Sequence, residues 1–124
     1  LCWHSVAGFS KFGKYTGNGS SNGAFVFTGF KPAWLMVKKI NSTGNYAQME
    51  SARSPINPIS VFFSVDSNIA EVTTSTRQTD FLSNGFKFRG ANDATNLGGS
   101  TYIYMAFAEH PFIGSGSKSP VTAR

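Results

Sequence analysis

Apolar and polar residues alternate along this chain in short stretches, each closed by a cluster of Gly, Asn, Ser or Pro. No stretch sustains the 3.6-residue period that an amphipathic helix needs over about ten residues. The pattern predicts a first extended segment over residues 4–15, then strands at 24–27, 33–40, 46–50, 59–65, 71–74, 80–82, 86–89 and 101–109. The clearest is 101–109, where Tyr102, Tyr104, Ala106 and Ala108 alternate with Ile103, Met105 and Phe107. In 33–40, Trp34, Met36 and Lys38 share one face while Leu35, Val37 and the stem of Lys39 share the other, a pattern that suits a central strand. The segment 71–74 is weaker and edge-like.

The joints follow from turn chemistry. Asn84 and Gly85 form the strongest hairpin signal, between 80–82 and 86–89. Pro32 fixes its own φ and pushes Lys31 toward extended geometry, so 29–32 reads as a corner. Pro55 and Pro58 make 51–58 a structured loop, and residues 16–23 are so rich in Gly and Asn that positive φ is available almost throughout. With eight or nine strands and no crossover helices, the expected fold class is all-β, an antiparallel β-sandwich of jelly-roll-like, lectin-like type. Periodicity alone does not separate that from an immunoglobulin-like arrangement. The sandwich is expected over residues 1–113, with a flexible tail over 114–124, and a core built from Phe25, Phe27, Trp34, Phe62, Phe86, Ile103 and Met105.

Composition narrows the picture. A chain of 124 residues suits one domain with one core. Its apolar content leans on twelve Phe, four Tyr and two Trp rather than on helix formers. The net charge of +5 favours acidic partners, but the basic residues are scattered and only Lys38 with Lys39, and Lys87 with Arg89, sit close. Nucleic-acid binding wants a basic stripe or a recognisable module, so no nucleic-acid partner is expected. No apolar run approaches the roughly 18 residues of a membrane helix, and no signal-peptide layout opens the chain, so a soluble domain without membrane insertion is expected. The start at Leu1 reads as a cut inside a longer polypeptide. Cys2 has no partner cysteine in the chain.

Candidate chemistry is sparse. His4 and Ser5 are strand neighbours that would point to opposite faces, which leaves His4 an ordinary strand residue and Cys2 a small buried hydrophobe. His4, His110 and Cys2 lack the paired spacing of a zinc site, so neither metal nor cofactor is expected. Asn92, Asp93 and Asn96 offer oxygen donors at loop spacing, but one acid is too few for tight calcium binding and turn formation is the expected role. The glycine-rich run 17–23 precedes a strand, whereas a phosphate loop must open a helix. Among the six acids, Glu50, Asp80 and Glu109 fall at strand ends without a visible glycosidase-type pairing, so no enzyme activity is expected. Loop residues on a rigid sandwich are free for recognition, which makes Tyr46, Arg53, Asn41, Asn45, Asn92, Asp93 and Asn96 the ligand-binding candidates.

Four segments carry a resemblance: SKFGKYTGNG at 10–19, TGFKPAWLMVK at 28–38, DFLSNGFK at 80–87 and YIYMAFAE at 102–109. In order and spacing they resemble a β-rich domain at the C-terminal end of tail fibres and related tail proteins of tailed bacteriophages, especially marine ones. The ending from Pro120 to Arg124 also resembles a natural terminus of such proteins. Where family members often carry an aspartate before the Ser-Ala-Arg phrase, this chain has Glu50, which keeps a carboxylate near Arg53. The resemblance implies a distal virion module, homotrimeric with other tail-fibre chains, that recognises a glycan or outer-membrane protein of the bacterial host. It carries over no catalytic residue. Two other roles stay open at this point: structural trimerisation or capping of the fibre, and depolymerisation of surface polysaccharide.

Overall fold

The computed structural model describes residues 2–111; the tail expected over 114–124 lies outside the described residues. Nine strands form: β1 Ser10–Thr16, β2 Phe25–Phe27, β3 Pro32–Lys39, β4 Ala47–Glu50, β5 Val61–Ser64, β6 Val72–Thr73, β7 Thr79–Leu82, β8 Gly85–Phe88 and β9 Thr101–Ala108. Among the described residues the one helical element is a single 3-10 turn, Ser75–Arg77, capped by the Thr74 side chain. The strands build an all-β sandwich of a six-stranded sheet in the order β1-β9-β3-β4-β5-β6 and a three-stranded sheet in the order β2-β8-β7. All named pairs are antiparallel.

Every expected strand is present, with its ends shifted. The first segment is extended only from Ser10, because Ala7 to Phe9 form a turn in which Ser10 N–H bonds the Val6 carbonyl at 2.9 Å. His4 is therefore not a strand residue, and Cys2 is exposed rather than buried. Pro32 opens β3 instead of standing outside it, the position in a strand where a missing N–H costs least. β3 lies between β9 and β4, and the two-residue β6 is at the sheet edge, as the pattern predicted. The hairpin turn is Ser83 with Asn84, since Gly85 already pairs with Leu82. Gly85 is required for a different reason from turn conformation: a Cβ there would lie 2.1 Å from the Val26 carbonyl oxygen of the neighbouring strand.

The core lies between the sheets and is aromatic. Tyr15 stacks on Tyr102 at 5.1 Å between ring centroids and on Phe88 at 5.2 Å, while Phe86 meets Tyr104 edge-on at 5.3 Å. Leu35, Val37, Met49, Ile59, Phe62 and Phe81 complete it. Burying tyrosine demands a partner for each hydroxyl. Tyr15 donates to the Thr95 carbonyl and Tyr102 to the Asp93 carbonyl at 2.6 Å, both from the loop after β8.

Only part of the expected core is inside. Phe62 and Phe86 are buried, but Phe25, Phe27 and Ile103 are exposed, at 46%, 63% and 43%, and Trp34 and Met105 are half-buried on the outer face of the large sheet. The period of two held and the face was reversed. Val26 occupies the inward position of β2, and Tyr102, Tyr104 and Ala106 occupy those of β9.

Burial raises the Tyr15 phenol well above its ordinary pKa, with Tyr102 adding to the effect. An unfolded chain releases this proton near pH 10, before the folded one does, so stability is complete below about pH 10 and falls as pH rises beyond it. Urea-unfolding midpoints measured from pH 8 to 11 should decline steeply above 10. In Tyr15→Phe, which forfeits about 1 kcal/mol with the hydrogen bond, the decline should be shallower. An equally steep decline in the variant would count against this account.

Candidate functional site

Two layers leave the large sheet with an uncovered face. Its side chains run in register across the strands. Ser10, Phe107, Trp34 and Glu50 form one row, and Phe12, Met105, Met36, Gln48 and Phe63 the next. A third row consists of Lys14, Ile103 and Lys38. The N-terminal segment folds over one margin, where Trp3 stacks on Phe12 at 5.9 Å and Phe9 meets Phe107 edge-on at 5.9 Å. Between Trp3 and Tyr46 the face sinks into a trough of about 730 Å³, floored by Met36, Ile103 and Met105 and bordered by Lys14 and Lys38. Beneath it Gly13 faces the core, where a Cβ would come within 2.9 Å of the buried Tyr104 ring. Trp3, 59% exposed, and the half-buried Tyr46 supply aromatic surface at its two ends. Lys38 Nζ sits 4.9 Å from the centre of the Tyr46 ring and donates to the Gly44 carbonyl, so the ammonium is held in place.

A second concavity lies at the sandwich end where β3 finishes and β9 begins. It has a volume of about 450 Å³ and is lined by Asn45, Asn92 and Asp93 together with Arg77, Thr76 and Ile69. Arg77 lies 4.0 Å above the Phe62 ring, and burial there lowers its pKa while Asp93 opposes the shift. Residues 41–46 divide the two hollows, since Asn45 lines the cleft and Tyr46 the trough.

The seven loop candidates therefore have different fates. Asn45, Asn92 and Asp93 come together at the cleft, and Tyr46 stands apart in the trough. Asn41 accepts the Thr101 N–H at 3.2 Å and remains exposed. Arg53 is beyond the far end of β4, shared by Glu50 and Glu71, whose hydrogen bonds raise its pKa. Asn96 requires a correction: it is fully buried. Its amide nitrogen donates to Asn18 Oδ1, Ser20 O and Gly90 O, and its oxygen accepts the Asn18 N–H at 3.0 Å. Asn96 pins the glycine-rich loop after β1 to the loop after β8 and offers nothing to a ligand.

The residues missed were Trp3, Lys14, Lys38 and the outward positions Met36, Ile103 and Met105. The available signal was that 33–40 and 101–109 are apolar on both faces in a chain whose sequence has no sustained helical period to supply a covering layer for the second.

Carboxylates are all committed. Asp93 binds the buried Lys39 at 2.5 Å, Asp80 binds Arg89 at 2.5 Å, Glu109 binds Lys31 at 2.8 Å, and Asp66 accepts the Tyr46 N–H at 3.1 Å. Glu50 and Glu71 are clamped on one guanidinium. In the 90–100 loop, Asn92 Oδ1 accepts the Ala94 N–H at 2.9 Å, a turn-forming bond. Among the described residues no group of three or more His, Cys, Asp or Glu converges as a metal site would require.

Fold and concavities together define the class: a β-sandwich domain with an aromatic-edged trough on one sheet and a second, more polar cleft at one end. The chain belongs to the family described as a domain of unknown function, DUF7483, whose model matches residues 1–111 and so takes in all nine strands. No curated protein and no solved structure matches it.

Removing the Asn96 amide strands polar groups in two loops at once. Asn96→Ala should lower stability by about 3 kcal/mol, read as a lower urea midpoint at unchanged slope. Asn41→Ala, which loses one exposed bond, should change it by less than about 0.5 kcal/mol.

Proposed function

We propose that the chain is a distal tail-fibre module that attaches a bacteriophage to a surface glycan of its bacterial host. The observation that carries this reading is the trough. At about 730 Å³ it falls within the usual range of ligand sites, roughly 300–1,000 Å³, with an apolar floor and few, fixed polar groups. Trp3 and Tyr46 offer flat apolar area at its ends, the surface on which the C–H face of a sugar ring can stack. The four segments that resemble phage tail proteins support the assignment from another side. They form β1 with its following loop, the approach to β3 and most of that strand, the β7–β8 hairpin, and β9, and the first, second and fourth contribute to the trough. Linked copies on several fibres would convert weak single contacts into firm adhesion.

A second reading has its own observation. The apolar outer face continues beyond the trough through Phe12, Phe107 and Trp34 to the exposed Phe9, surface that neighbouring chains of a homotrimer would cover. In that case the module trimerises or caps the fibre and another segment meets the host.

The test is binding of the fluorescently labelled chain to a panel of bacterial cells, with and without removal of their surface polysaccharide. Attachment to some strain should disappear on stripping, and Tyr46→Ala should weaken it about tenfold or more. Attachment that survives stripping would transfer the role to a protein receptor. A folded, trimeric chain that attaches to no strain would overturn the adhesion reading in favour of the structural one.

A further inference from the structure

The geometry points to an acidic glycan, one carrying carboxylate, sulfate or phosphate groups along its chain, as the ligand of the trough; this rests on the glycan reading above. Lys14, Ile103 and Lys38 stand directly opposite one another on β1, β9 and β3. The two ammonium-bearing residues are therefore two inter-strand steps apart, about 10 Å between their backbones. The row continues to Tyr46, so its direction is across the strands, along the trough. A linear ligand lying in that direction meets a cation, an apolar rung, a second cation and an aromatic ring in turn.

The charge is uncompensated. No carboxylate lines the trough, and neither lysine is in an ion pair among the described residues. Asp66, which holds the Tyr46 backbone, is not part of the lining. Lys31, Lys39, Arg53 and Arg89 each have a carboxylate within salt-bridge distance, whereas among the described residues Lys11, Arg77 and Lys87 share the unpaired state but do not line the trough. Lys14 is exposed and Lys38 half-buried at the border of an apolar floor, so both are open to an anionic partner, and the apolar surface beside them strengthens each such pairing by limiting water. Two cations are too few to follow a nucleic-acid backbone, which needs a longer basic stripe.

The decisive probe is polygalacturonic acid against its fully methyl-esterified form, which keeps the sugar chain and removes the charge. The 124-residue chain should bind the acid and lose most of that affinity for the ester. Lys14→Gln with Lys38→Gln should weaken binding to the acid about tenfold, the product of two modest charge contacts. Lys87→Gln removes the same charge from the small sheet, where Lys87 lies between Phe25 and Asp80, and should change nothing. Equal binding of acid and ester would overturn the acidic assignment and leave the glycan reading standing, provided Tyr46→Ala still weakens both. Equal losses from Lys87→Gln would replace the trough by diffuse charge. Competition by single-stranded DNA at equal concentration would redirect the site to nucleic acid, and failure of every saccharide, with the trough covered in a self-associated chain, would overturn both readings.

Discussion

Coverage is the constraint on which this structure depends: a sheet of six strands faces a sheet of three, and no α-helix is present among the described residues to cover what remains. The small sheet can seal only one side of the large one. Leu35, Val37, Met49 and the tyrosines of β1 and β9 take that side, and everything apolar at the alternate positions stays outside. Phe12, Trp34, Met36, Ile103, Met105 and Phe107 are thus products of the same alternation that builds the core, displayed on the face that lacks a second layer. A sheet this apolar on both faces is usually sandwiched, and here it is sandwiched once.

The tyrosine-rich core ties the sheets to the loops. Two of the buried phenols, Tyr15 and Tyr102, reach out of the apolar layer to carbonyls of the loop after β8, at Thr95 and Asp93, and the Leu97 N–H donates back to the Tyr102 hydroxyl at 2.9 Å. Lys39, 4% exposed, ends the inner row of β3 by reaching Asp93, and Asn96 fastens the same loop to residues 18–20. A loop of eleven residues rich in Gly and Asn would otherwise cost much conformational entropy to order. Here core packing and loop order are one cooperative arrangement, which is why the cleft beside Asn92 and Asp93 has a definite shape.

Strand positions were legible because turn residues and period-two alternation are local signals, and all nine strands fall where they were expected. Facing was not. On β9 the choice lay between Tyr102, Tyr104 and Ala106 on one side and Ile103, Met105 and Phe107 on the other, and hydropathy favours the second set. The structure buries the first, with the Tyr102 hydroxyl donating to the Asp93 carbonyl in the preceding loop and both tyrosine rings packed against aromatics of β1 and β8, contacts that alternation along one strand does not encode. Val26 between Phe25 and Phe27 repeats the lesson: the smaller residue faces the crowded core, opposite Phe86. Asn96 was misjudged for a related reason, since a loop amide at a polar tip and a loop amide pinned between two loops look identical in sequence. Asn45, Asn92 and Asp93 meet at one cleft because β3 ends and β9 begins at the same end of an antiparallel sheet in which they are neighbours, a proximity that the residues themselves do not signal.

The proposed adhesion and the alternative assembly role would compete for one surface, and the charge on that surface separates them. Covering the whole outer face with another copy of the chain would bury Lys14 and Lys38 against a face that carries the same two cations and, in its trough, no acid. Desolvating unpaired ammonium groups costs several kcal/mol each, more than apolar contacts of ordinary size recover at a rim. The opposite end of the face, from Phe9 through Phe107 to Trp34, is bordered by carboxylates already paired with Arg53 and Lys31 and carries no such penalty. If chains associate in a fibre, contact through that aromatic end would leave the cationic trough open. The two roles then divide the sheet along its strands instead of excluding each other, with assembly at the Trp34 end and ligand at the Lys38 end of the same strand.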